Sequence, residues 1–174
     1  ERDTGLEWRT GLSSTLAHRM NANNRLQAGI LAQFVLHEVD ALRSQAQLYY
    51  GYSRNAIMQP WASWLWNSRD DRTSLKIGLH SLLLAVQGDS ASLADATLEP
   101  RLTVTRRLSR QHRLAFSAGL HSQTHPLWMY ALETGNFTRN SGHFTGNVLA
   151  RAFQTSMRYT WNPNDVWTLK SEFF

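Results

Sequence analysis

TLEPRLTVTRRLSRQHRLAFSAGLHSQ, from Thr97 to Gln123, decides the fold. Leu98, Pro100, Leu102, Val104 and Leu108 fall on one parity, and Glu99, Arg101, Thr103, Thr105 and Arg107 on the other. Side chains that alternate with a period of two belong to a strand with one apolar and one polar face. After Ser109 to His112 the alternation resumes, with Leu114, Phe116, Ala118 and Leu120 set against Arg113, Ser117, Gly119, His121 and Gln123. Two such runs across a short polar turn predict an antiparallel hairpin.

Outward from this hairpin the pattern recurs. Gly5 to Met20 is expected to pair with Arg25 to Asp40 across Asn21 to Asn24, and Trp61 to Ser68 with Thr73 to Gln87 across Arg69 to Arg72. Ala150 to Trp161 and Val166 to Phe174 flank Asn162 to Asp165. The fold class is therefore all-β and antiparallel, with about eight strands. Longer connections are expected at 41–60, 88–96 and 124–149. Strands of a dozen residues exceed the usual soluble strand of about five or six, and short turns alternating with long loops suit a transmembrane β-barrel. Trp8, Trp61, Trp64, Trp66, Tyr159, Trp161 and Trp167 are expected to supply its interfacial girdles.

One stretch competes with this reading. In NRLQAGILAQFVLHEVDALRS, Leu26, Ile30, Phe34 and Leu42 also fit a helical stripe, and the composition favours helix. The string GLHS, at Gly78 to Ser81 and again at Gly119 to Ser122, argues for strands. Leu75 precedes its glycine by three residues and Leu114 precedes its glycine by five. A displacement of two keeps a strand's face, whereas it turns a helix by about 200°. Asn24 to Phe34 echoes the same arrangement, so strand is expected there too. The two glycines lie on the polar parity, where a missing side chain lets a large neighbour approach the wall.

The 174-residue chain lacks cysteine, which excludes disulfide and thiolate chemistry. Its formal charge is +5, and only Lys76 and Lys170 are lysines. RRLSRQHR, Arg106 to Arg113, is the densest basic stretch, but it has no interleaved aromatics for base stacking, so nucleic acid is not an expected partner. No apolar run, Leu82 to Val86 included, approaches the length of a membrane helix. The start, ERDTGLEW, has no signal-like segment, and the chain is expected to be a piece of a longer product.

Neither His80 with Ser81 nor His121 with Ser122 suits nucleophilic catalysis, because strand neighbours point to opposite faces. No GxSxG elbow is present, and no enzyme, cofactor or metal is expected. His121 and His125 would lie about 13 Å apart on a strand, too far to share an ion. Parity assigns Arg9, Gln27, Gln33, His37, Lys76, His80, Glu99, Arg101, Thr103, Arg113, His121 and Gln123 to the lumen side. Of these, Glu99, Arg101, Lys76, His80 and Gln123 are expected to build the wall, with Arg101 and His121 also candidates for ligand contact. Trp128, Tyr130, Phe137 and Phe144, in the long connection, are the other ligand candidates.

TSLKIGLHSLLLAVQGDS, then ATLEPRLTVTRRLSRQHRLAFSAGLHSQTHPLWMY, resembles the barrel of TonB-dependent outer-membrane receptors, in the group with a carboxypeptidase-regulatory-like domain. The resemblance implies a larger barrel of about 22 strands, to which residues 1–174 would contribute one segment without signal peptide or plug. It further implies outer-membrane lipid as surroundings, import of a scarce ligand, a plug domain, a periplasmic energy-coupling protein and a surface lipoprotein partner. A soluble all-β binding module for carbohydrate or protein, its core holding Leu75, Ile77, Phe116 and Leu120, is one alternative. A small complete eight-stranded outer-membrane barrel is another.

Overall fold

The computed structural model describes residues 2–43, 46–88, 92–127, 129–130 and 148–174, with backbone alone at 2–4, 39–43 and 46–51. Eight strands follow one another: β1 (Arg2–Arg19), β2 (Asn24–Arg43), β3 (Ala46–Asn67), β4 (Thr73–Gly88), β5 (Ser92–Arg107), β6 (His112–Thr124), β7 (Leu149–Trp161) and β8 (Leu169–Phe173). They form one antiparallel sheet in sequence order. Among the described residues β1 pairs only with β2 and β8 only with β7, which leaves two edges.

The competing helix at 24–43 is a strand. Its two neighbours explain why: β2 is laddered to β1 from Arg25 to Leu42 and to β3 from Asn24 to Arg43. Alternation also continues through the supposed helical stripe, so Leu26, Ile30 and Phe34 share a face that tertiary pairing uses and helix propensity ignores.

Two expected long connections are largely strand. β2 runs to Arg43 and β3 starts at Ala46, so most of 41–60 is ladder; β4 runs to Gly88 and β5 starts at Ser92. The signal was hidden at β3 because its enclosed parity is polar: Ser53 and Asn55 are fully buried, with Ile57 beside them. Pro60 in mid-strand also argued against strand, since it donates no ladder bond. The sheet accommodates it with a local break, for β3 and β4 pair from Ser53 to Met58 and again from Trp61, passing over Gln59 and Pro60.

The short turns fall where expected. Asp71, at φ 51°, takes the left-handed conformation in the β3–β4 turn, a conformation in which aspartate is enriched. The Ser68 hydroxyl donates to the Asp70 carboxylate and holds its pKa below 3.8.

Register assigns every strand residue to one of two faces. One carries Leu12, Leu98 and Phe153 at 72%, 67% and 68% exposure, together with Leu6, Leu16, Phe34, Met58, Ile77, Leu79, Leu102, Phe116 and Leu120. The opposite face holds the enclosed residues Val35, Ile57, Leu82, Leu84, Val86, Thr97 and Glu99. Large apolar side chains thus stand bare on one face while the other encloses Thr97 and Glu99 beside a smaller apolar group, with Leu102 36% and Phe116 44% exposed on the face opposite Arg101. The core proposed for a soluble module is absent, because Ile77, Phe116 and Leu120 stand exposed.

A small apolar cluster closes the enclosed face at the end away from the short turns. Ile57, Leu82, Leu84 and Val86 pack there with Tyr130 and Leu149. Tyr130 is completely buried.

Candidate functional site

The strongest cluster of polar side chains grows from the two GLHS strings. β5 lies between β4 and β6, so Arg101 pairs with Gly78 on one side and Gly119 on the other. Glu99 pairs with His80, and continuation of the register would bring His121 to its other side. The recurrent string therefore brackets a single Glu-Pro-Arg segment with glycine opposite arginine on both sides and, on β4, histidine opposite glutamate.

The glycines differ in use. A Cβ on Gly119 would meet Arg101 Cγ at 3.0 Å and the Pro100 carbonyl oxygen at 3.1 Å, so the arginine stem lies across it. At Gly78 the nearest atoms are 3.6 Å away, an ordinary contact. The same need appears more strongly at Gly29, where a Cβ would meet the Trp61 ring at 2.8 Å. Trp61 is accordingly inside, stacked on His80 with centroids 5.9 Å apart and planes 14° apart, and does not join a girdle.

Glu99 is 3% exposed and accepts from Arg101 Nη2 at 2.6 Å, from the Ser122 amide at 3.1 Å and from the Thr97 hydroxyl at 3.4 Å. Burying a carboxylate this completely is costly unless it is hydrogen-bonded, and these three donors occupy most of its acceptor sites. Among the described residues, buried Arg101 Nε has no hydrogen-bond partner. Gln59, Trp61, His80, Leu82, Glu99 and Arg101 line a cleft of about 330 Å³.

The Ser122 contact marks a seam. The β5–β6 ladder ends at Arg101 and Gly119, although β5 continues back to Ser92 and β6 on to Thr124. Side chains span the gap. Asp95 accepts from the Leu149 amide at 3.2 Å and from Arg151 at 3.1 Å, while Glu99 takes the Ser122 amide. The Ser122 amide, beyond the end of the β5–β6 ladder, thereby regains an acceptor.

The other candidates disperse. Lys76 and Gln123 share the polar face with His80, Glu99 and Arg101, in register rows displaced from the cleft. His121 lines a separate recess with Arg101, Thr103 and Ser117. Tyr130 is no open ligand contact: its hydroxyl accepts the His125 amide at 2.9 Å and donates to the Val148 carbonyl at 2.8 Å, and burial raises the phenol's pKa. Trp128, Phe137 and Phe144 lie outside the described residues. Among the described residues no group of His, Cys, Asp or Glu is arranged to hold a metal ion. Sequence reading missed Trp61, Asp95 and Ser122 as members of the cluster. Parity alone exposed Trp61 to discovery, but a tryptophan near a strand end reads first as a girdle.

On the apolar face, Trp64 and Trp66 of β3 and Tyr159 and Trp161 of β7 stand near the short turns. His112 stacks on Tyr159 and Trp161 and bonds the Tyr159 hydroxyl at 2.6 Å.

No family model matches the chain, and no curated protein matches it. The chain is similar in structure to the translocator domain of autotransporter NalP from Neisseria meningitidis, at 14% identity and a TM-score of 0.48, over 98% of this chain and 60% of that one. It spans less than two thirds of that domain's length, and a likeness this distant carries nothing about activity or partners. The expected TonB-dependent importer is corrected: the described residues form one sheet of eight strands, which gives no support to a wall of about 22.

Proposed function

We propose that this chain forms the wall of a small outer-membrane β-barrel, with its large apolar side chains in lipid and its polar face enclosed. The dimension of the apolar band carries the reading. On β2 it extends from Leu26 to Leu36, with Glu38 beyond it on the same face. Ten residue steps at about 3.3 Å span about 33 Å, and a strand tilt of about 40° reduces that to about 25 Å, the height of an outer-membrane barrel's apolar band. The turn-end aromatics sit at one margin of this band. In water, each large side chain left bare would forgo about 1.5–3 kcal/mol of burial, an improbable arrangement to repeat across eight strands.

The enclosed face is no wide conduit. Trp61, Arg101 and the Ile57–Leu82–Leu84–Val86–Tyr130 cluster fill much of it, which favours a wall with a packed interior and a role in anchoring or binding rather than bulk passage. Hydrocarbon does not tolerate free strand edges, so in this reading the outer edges of β1 and β8 are paired within the membrane. No catalytic chemistry is assigned to it.

Fractionation tests the proposal. Expressed with a signal peptide, the chain is recovered with the outer membrane, needs detergent for extraction and migrates faster on unheated gels. Recovery as a water-soluble monomer with native strand content would overturn the reading.

A further inference from the structure

We infer that the apolar face holds a specific site for an anionic phospholipid, its acyl chain in a groove near the short turns and its phosphate on the arginines beyond. This inference rests on the outer-membrane reading above. The groove encloses about 620 Å³ and its lining is almost wholly apolar. Register explains its shape. Leu16, Ala28, Ala62, Leu79 and Pro100 form one continuous row across β1 to β5. Two adjacent alanines make a floor between leucine walls, and the next row, Leu26, Trp64 and Ile77, bounds it on the turn side. Trp64 is fixed there, because its indole N–H donates to Asn24 Oδ1 at 3.0 Å.

Charge identifies the occupant. The β3–β4 and β5–β6 turns and their flanks carry Arg69, Arg72, Arg106, Arg107 and Arg110, against Asp70 and Asp71. Arg106 shares the apolar face with the groove and donates to the Thr73 hydroxyl at 2.6 Å, which holds its stem at the margin of the band. Along β4 the distance from Thr73 to Ile77 or Leu79 is about 13–20 Å at 3.3 Å per residue. One leaflet's hydrocarbon is about 15 Å deep, so a chain hanging from a phosphate at Arg106 and Arg72 ends over Ala28 and Ala62. In a barrel with short turns on the periplasmic side, these arginines face the phospholipid leaflet. A zwitterionic phospholipid would fill the groove equally well, but its ammonium group would compete with the arginines for the phosphate and leave the rim's net charge unbalanced.

The test uses the full chain, folded into phosphatidylcholine vesicles containing a minority of phosphatidylglycerol, extracted gently and assayed by mass spectrometry for retained lipid. Phosphatidylglycerol should be retained in preference, by about fivefold for each arginine that reaches the phosphate. Ala62→Leu with Ala28→Leu should abolish retention while leaving folding and heat-dependent gel migration unchanged, and Ala94→Leu, on the same face away from the groove, should not. Arg106→Gln should retain lipid with the preference reduced. Equal retention of both lipids by the unaltered protein, or retention that survives the filled groove, would overturn the site. A chain that enters vesicles and retains no lipid would overturn the site alone, whereas one that never enters them would overturn the barrel reading.

Discussion

The two copies of Gly-Leu-His-Ser have identical residues and unequal surroundings. The copy on β4 is laddered on both sides, to β3 and to β5. The copy on β6 is laddered to β7 throughout but to β5 only as far as Gly119. In the first, histidine is a stacking partner for Trp61 and glycine has room to spare; in the second, glycine is the essential residue because Arg101 lies across it. What a short string does is set by the strand opposite it, here the Glu99–Arg101 segment that both copies flank.

Removing that shared centre should have the largest effect. Glu99→Ala strands the Ser122 amide and the Arg101 guanidinium, and should cost about 2–3 kcal/mol in urea unfolding from vesicles. A loss below about 0.5 kcal/mol, within the range of ordinary surface substitutions, would mean that the seam is held by Asp95 alone. Gly119→Ala should cost about 1–2 kcal/mol, since Arg101 must shift to admit a methyl group. Paired with Arg101→Ala, the same substitution should cost less, with the remainder set by the Pro100 carbonyl oxygen 3.1 Å from the added Cβ, a coupling that a double-mutant cycle detects. His80→Ala should cost about 1 kcal/mol through the lost ring stack and should alter Trp61 emission, whereas His121→Ala should leave that emission unchanged. Smallest of all, Gly78→Ala should stabilise by about 0.5 kcal/mol, because a strand glycine carries an entropic penalty and the added Cβ meets only ordinary contacts. Equal and unfavourable effects at Gly78 and Gly119 would erase the distinction between the copies.

Much of this arrangement was legible because it depends on parity. The faces of Arg101, Glu99 and His80 follow from alternation, and the tight turns follow from their polar clusters. Connection lengths did not follow. Ser53 and Asn55 are polar yet enclosed, and alternation reads such a strand as loop; Pro60 reinforced the misreading, since a sequence does not reveal that its neighbour's ladder steps around it. The seam was equally hidden. Where two strands part is a matter of twist and of the side chains that fill the gap, and Asp95 gives no local sign that Leu149 and Arg151, more than fifty residues later, meet it. Trp61 was misplaced for a third reason: its pocket is created by Gly29 on a different strand, and only register reveals the pair.

Tyr130 has a consequence for engineering. Its one hydroxyl ties the amide of His125 to the carbonyl of Val148, so the entry and exit of the longest connection are clasped at their base. A peptide grafted between them would be carried on a closed stalk, and the wall below would not register its length. In the proposed outer-membrane barrel that would make the clasp a mount for displaying foreign epitopes at the cell surface, provided the phenol is kept.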